Sequence, residues 1–93
     1  MKSAYAREQA EALSESVERI RQMEQCFDVL QEAAGKNEDA SFRDKLQLLK
    51  QYYEGGQWLG DYELEEKGLL PPELKRGVLA QDAVYDFLEQ IRG

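Results

Sequence analysis

The sequence contains no histidine and only one cysteine, Cys26. Without histidine, the chain lacks the usual general base at neutral pH and the commonest metal ligand, and it cannot form a Ser-His or Cys-His nucleophile by itself. A single cysteine cannot form an internal disulfide, which is typical of a reducing compartment. No run approaches the roughly eighteen apolar residues of a membrane span, and acids stand where a signal peptide would need an apolar core. We therefore expect a cytoplasmic protein with no membrane segment.

Basic residues are also scarce, because 12 Lys and Arg stand against 19 Asp and Glu, for a net charge of −7. Residues 1–34 hold four bases and seven acids, residues 35–54 hold four of each, and residues 55–93 hold four bases and eight acids. No basic segment is therefore hidden behind the acidic average. Since phosphate contacts need clustered Lys and Arg, this balance argues against a general nucleic-acid binder. An acidic surface can instead bind a basic partner, or it can simply keep the protein soluble.

The first third of the chain has the pattern of a long amphipathic helix. No glycine or proline occurs before Gly35, and apolar residues recur at spacings of three, four and seven from Leu13 onward. This spacing places them on one helix face, so we predict a helix over about residues 4–34. Gly35 can take the left-handed conformation that ends helices. The apolar face contains Leu13, Val17, Ile20, Phe27, Leu30 and Ala34.

A second helix is predicted over about residues 38–54. Asn37 or Ser41 is expected to cap its start, and Ser41 with Asp44 resembles a weak capping box. The pair Gly55-Gly56 is expected to end it. The short connection between the two helices favours an antiparallel hairpin. The apolar face of the second helix contains Phe42, Leu46, Leu49 and Tyr53.

Residues 55–79 are expected to be irregular, since they hold five of the seven glycines, both prolines and the only tryptophan. The stretch QWLGDY is too short for an independent helix and is expected to make one turn. The two prolines suit an extended entry into a short helical turn, PELKR, which Gly77 would end. A last helix is predicted over about residues 80–92.

The predicted fold is therefore all-α. One domain over residues 1–93 contains a long antiparallel helical hairpin, covered by the irregular segment and the C-terminal helix, with three main helices. Trp58 has two interpretations: a core plug that closes the hairpin against Tyr62, Leu69 and the last helix, or an anchor for a partner. The predicted structural core is Phe27, Leu46, Leu49, Tyr53, Trp58, Val84, Phe87 and Leu88.

Three stretches of the chain, ERIRQMEQCFDVL, LKQYYEGGQWLGDYELEEKGLLP and LKRGVLAQDAVYDFLEQ, together resemble a small bacterial family known as domain of unknown function 4298. The resemblance covers about residues 16–90 and implies no activity, cofactor or catalytic residue. Ala80 stands where the family usually places serine, which leaves the N-cap of the last helix open. The distinctive parts are Tyr52-Tyr53, Trp58, Asp61-Tyr62, residues 74–79 and residues 82–85.

Metal-binding and phosphate-binding motifs both fail. Counted from Asp61, a calcium loop of the EF-hand type needs glycine at its sixth position and glutamate at its twelfth, where this chain has Glu66 and Pro72. The stretch GGQWLG lacks the Lys-Ser/Thr ending of a P-loop and follows a helix, not a strand. Cys26 lies at the edge of an apolar helix face, where a buried structural thiol is expected. We expect no catalytic residue, no metal site and no cofactor.

Four residues are candidates for contact with a partner. Lys75 and Arg76 form either a small cationic contact point on an acidic protein or a pair placed near carbonyls at a helix end. Tyr62 suits either a core position with a solvated hydroxyl or the wall of a binding groove. Asp61 completes the set, as an acid beside Tyr62.

The expected function is a non-catalytic module that binds another protein, an expectation reached by eliminating catalytic chemistry. The alternative is an acidic inhibitor or decoy that mimics nucleic acid and binds a nuclease or another DNA-binding protein. The first helix is longer than the second can cover, so a homodimer through a coiled-coil seam on the first helix is a further expectation. Packing beneath the last helix is the other use for that excess length.

We predict no specific nucleic-acid binding at physiological salt, because no segment of the chain carries a basic surplus. Fluorescence anisotropy with labelled duplex DNA and RNA measures this directly. A salt-sensitive dissociation constant below about 1 μM would contradict the prediction, since nonspecific dissociation constants are typically about 1–100 μM.

Overall fold

The structure, a computed structural model, describes residues 2–80 and 82–92. Four α-helices follow one another along the chain: α1 (Lys2–Ala33), α2 (Ala40–Glu54), α3 (Gln57–Glu66) and α4 (Ala83–Arg92). A single 3₁₀ turn, Gly77–Leu79, lies between α3 and α4. The all-α prediction is confirmed. None of the helices in the described part of the chain is both long enough and apolar enough to cross a membrane.

The helical hairpin of α1 and α2 forms as predicted, but its turn uses a different cap. Gly35 has a φ of +77°, the left-handed conformation expected after the end of α1. The N-cap of α2 is Asp39, whose carboxylate accepts a hydrogen bond from the amide of Phe42 at 3.0 Å. The predicted caps, Asn37 and Ser41, are therefore wrong. Ser41 lies inside α2, where its hydroxyl accepts a hydrogen bond from Lys45 Nζ at 2.9 Å.

The largest departure from the predicted organisation is α3, a ten-residue helix where the sequence suggested one turn. Gly56, with a φ of +97°, reverses the chain directly after α2 and allows the new helix to begin. A helix this short is marginal in isolation, so its contacts with α1 and α2 stabilise it. The irregular segment is thus residues 67–76, not 55–79.

The segment after α3 also differs in detail from the prediction. The predicted helical turn PELKR is a single turn, closed by the hydrogen bond from the Leu74 amide to the Pro71 carbonyl at 3.1 Å. Gly77 begins the 3₁₀ turn and does not end a helix. The last helix begins at Ala83, and Asp82 before it has a φ of +68°, so Ala80 is not adjacent to its first turn.

The core lies between the hairpin and the later elements. Phe27 of α1 meets Phe87 of α4 edge to face, with ring centroids 5.5 Å apart. Of the predicted core, Phe27, Leu49, Val84 and Phe87 are buried, whereas Leu46, Tyr53, Trp58 and Leu88 are partly buried and packed against them. The core also includes Ile20, Cys26, Leu30, Phe42, Tyr52, Leu70, Leu74, Val78 and Leu79.

Glu24 connects α1 to the 3₁₀ turn from inside the protein. It is only 7% exposed, and its carboxylate oxygens accept from the Val78 amide at 3.2 and 3.3 Å. A Cβ atom at Gly77 would lie 2.9 Å from one of these oxygens, so glycine allows the close approach. Burial and the nearby charge of Asp28 raise the pKa of Glu24, against the opposing effects of the Val78 and Gly77 amides and of Lys75.

We predict that Glu24 makes stability depend on pH in a defined direction. Because its pKa is raised above the ordinary value of 4.5, the folded protein holds this proton more tightly than the unfolded chain. The resulting stabilisation is full below that value and is lost as the pH rises through the folded pKa.

Glu24→Gln, which keeps an acceptor for Val78, removes this dependence. Its free energy of unfolding, minus that of the parent, should rise between about pH 4 and pH 7 in urea titrations. Glu18→Gln, at an exposed position of the same helix, is the control. A Glu24→Gln difference that stays constant with pH would contradict the prediction.

Candidate functional site

A buried ion pair occupies the junction of three helices. Asp61 of α3 is 0% exposed. Arg19 of α1 donates to both of its oxygens, with Nε at 3.0 Å and a terminal nitrogen at 2.7 Å. Tyr52 of α2 donates its hydroxyl to the same carboxylate at 2.7 Å, and Arg19 also donates to Ser16 Oγ at 3.1 Å. This burial leaves Asp61 no path to a partner, so the structure removes it from the predicted contact residues.

The protonation of this network favours a structural role. The hydrogen bond to Asp61 raises the pKa of the Arg19 guanidinium. Burial, followed by the hydrogen bond to Asp61, raises the pKa of Tyr52. Both side chains therefore keep their protons and act as fixed donors, whereas a general acid or base needs a pKa near the working pH.

The two predicted cationic residues have different surroundings. Arg76 forms an ion pair with Glu65 of α3 and donates to the carbonyls of Pro71 and Pro72 at 3.1 and 3.3 Å. These contacts hold the irregular segment against α3. Lys75 is exposed. The two neighbours therefore do not form one contact point, because the guanidinium is used within the chain.

Trp58 takes part in an aromatic cluster at the start of α3. Its ring stacks on Tyr62, with centroids 5.0 Å apart and an angle of 11° between the planes. Tyr53 of α2 meets the indole edge to face at 5.1 Å, and the indole Nε1 donates to the Val78 carbonyl at 2.9 Å. These contacts favour the core interpretation of Trp58, although its ring is only partly buried. They also place Tyr62 in the packing of α3.

The candidate functional site is a groove between α1 and α2. We call this face, lined by Met23, Cys26, Val29 and Leu48 with polar neighbours, the open face. Its groove has a volume of about 610 Å³. Val29 on α1 is 46% exposed and Leu48 on α2 is 51% exposed, while the partly buried Met23 and the buried Cys26 lie deeper. The polar lining residues are Gln22, Gln25, Ser41, Asp44 and Lys45.

The geometry of the open face follows from helix periodicity. Phe27 and Leu30 of α1 and Phe42 and Leu49 of α2 are buried in the core. Val29 precedes Leu30 by one residue and so lies about 100° away around the helix axis. Leu48 has the same relation to Leu49. Both therefore belong to the groove and not to the core.

Val29 and Leu48 were not among the residues predicted to form a site. Neither fits the three-and-four spacing of the core faces, and each interrupts the polar side of an amphipathic helix. An apolar residue on the polar side of a helix was the only sign in the sequence that these positions form part of a site. It became specific only when the hairpin brought the two residues to opposite sides of one groove.

The open face has no evident catalytic or metal chemistry. Cys26 donates its thiol to the Lys45 carbonyl at 3.4 Å, and burial raises its pKa, so the unreactive thiol form is favoured. Among residues 10–80 and 82–91, whose side chains the structure describes, no three acidic or thiol side chains are grouped as a metal would require. What the groove offers is apolar contact area.

Comparison with known proteins gives one match. The family model described as Domain of unknown function (DUF4298) matches residues 20–93. No curated protein and no solved structure matches the chain. The match includes Tyr52 and Asp61 of the buried network and both exposed residues of the open face, and it begins one residue after Arg19.

We predict that removing Arg19 destabilises the protein more than neutralising the whole pair. Arg19→Met leaves the Asp61 carboxylate buried without its cation, which costs about 3–5 kcal/mol in free energy of unfolding. Adding Asp61→Asn to that variant removes the isolated charge and should recover part of the loss. Urea unfolding of the single and double variants measures both effects.

Arg21→Met, an exposed position two residues along α1, is the matched control and should change stability by no more than about 0.5 kcal/mol. An Arg19→Met variant as stable as this control would show that the ion pair contributes little. A double variant less stable than Arg19→Met would show that the isolated charge is not the source of the cost.

Proposed function

Since the chain belongs to the DUF4298 family, whose description assigns no activity, we propose that it is a non-catalytic protein-binding module. Its docking surface is the open face, and its ligand is a helix of another protein. The observation that carries the proposal is the pair Val29 and Leu48, large apolar side chains that are about half exposed on opposite sides of one groove.

The shape of the groove supports a helix as the bound element. Two packed helices leave between them a furrow that a third helix can fill, as in a helical bundle. On α1 the lining runs from Gln22 to Val29, which is about two helical turns or 10 Å. A bound helix with apolar residues at i, i+3 or i+4, and i+7 covers the same length.

We expect the fold to tolerate substitutions of the exposed residues of the open face. Its exposed residues contribute little to the core, so Val29→Ser and Leu48→Ser should each change stability by about 0.5 kcal/mol or less. Leu59 provides a matched control, because it is 53% exposed but lies on α3, away from the groove. Any loss of binding in the groove variants can then be separated from unfolding.

We expect a photoreactive amino acid at position 48 to form an adduct with one defined protein in cells that produce this chain. The same residue at position 59 should not form that adduct, and Val29→Ser should abolish the adduct at position 48. Mass spectrometry of the adduct identifies the segment of the partner that is attached, which should be helical.

Three results would overturn the proposal. One is the absence of an adduct at position 48, and another is the same adduct from positions 48 and 59. The third is an adduct with a second copy of this chain, which would make the open face a homodimer contact. A partner released by salt and indifferent to both groove variants would instead fit the acidic decoy that mimics nucleic acid.

A further inference from the structure

We infer that the helix bound in the open face is basic, with Lys or Arg on both sides of its apolar stripe. This inference rests on the proposed function. It adds the chemical class of the partner, which is decided by the charges around the groove and not by its apolar lining.

Three exposed acidic residues lie in the groove or one helical turn beyond its lining. Asp44 of α2 lines it directly. Glu18 and Glu32 are exposed residues of α1 that lie about one turn before Gln22 and one turn after Val29, so they stand at the two ends of the same stripe. The two ion pairs seen in the described part of the chain use other carboxylates, Asp61 and Glu65.

Two bases lie in the same region, and one of them, Arg19, three residues before Gln22, is held in the ion pair with Asp61. Lys45 lines the groove, and its ammonium group donates to Ser41 Oγ within α2 at 2.9 Å. The groove therefore has a local surplus of negative charge, and the net charge of −7 has the same sign. Complementary charges at the edge of an interface raise the association rate and select against partners of the same charge.

Three labelled helical peptides test the inference. All three peptides carry leucine at i, i+3 and i+7. They differ only in having Lys, Gln or Glu at the positions on both sides of this leucine stripe. In fluorescence anisotropy at low ionic strength, the Lys peptide should bind about tenfold or more tightly than the Gln peptide, and the Glu peptide should bind most weakly. The preference should shrink as salt is added.

A charge-matched pair of triple variants separates a local effect from net charge. Neutralising Glu18, Glu32 and Asp44 (E18Q/E32Q/D44N) should bring the Lys peptide to the affinity of the Gln peptide and leave the Gln peptide unchanged. The control neutralises the same number of exposed acids elsewhere (E63Q/E66Q/E73Q), and it should keep the preference for the Lys peptide.

The outcomes distinguish this inference from the function on which it rests. Equal binding of the Lys and Gln peptides, both lost in Leu48→Ser, would overturn the basic partner and leave the docking groove in place. Equal loss of the Lys preference in both triple variants would also overturn it, since net charge alone would then explain the effect. No binding by any peptide, or binding indifferent to Leu48→Ser, would overturn both proposals.

Discussion

The carboxylate of Asp61 is the constraint on which the arrangement of α1, α2 and α3 depends. A charge removed from water must be paired and hydrogen bonded, and here the donors come from two other helices. The three helices therefore cannot shift independently, because moving either donor would leave a buried charge incompletely compensated. An apolar contact at this junction would tolerate a range of crossing angles, whereas the two-pronged contact from Arg19 and the hydroxyl of Tyr52 fix one geometry.

The rest of the fold extends from this junction by contacts of the same kind. Glu24 accepts from a backbone amide of the 3₁₀ turn, Trp58 donates to a backbone carbonyl of the same turn, and Arg76 holds the preceding segment to α3. A chain of this size buries a limited apolar core, so directional polar contacts decide where the irregular segment lies. None of the side chains that make these contacts lines the groove between α1 and α2.

Periodicity predicted the hairpin and the last helix well, because Phe27, Leu49, Val84 and Phe87 follow the helical spacing and are buried. It failed for α3, because ten residues with Gly60 inside them and Gly55-Gly56 directly before them look unstable until Asp61 and Trp58 find partners elsewhere in the chain. The candidate site was harder still. Asp61 was predicted as a partner-contact residue because no local pattern reveals that Arg19 lies opposite it. Val29 and Leu48 were missed because their meaning depends on the packing of two helices.

The close approach of Gly77 to Glu24 couples two positions that are distant in the chain. Any side chain at position 77 would meet a carboxylate held by its hydrogen bonds to the Val78 amide. A larger residue there requires the Glu24 carboxylate to shift and so to strain those bonds, unless position 24 becomes shorter. Positions 24 and 77 are therefore expected to change together in related sequences. Each single replacement should lower the free energy of unfolding more than the double replacement does.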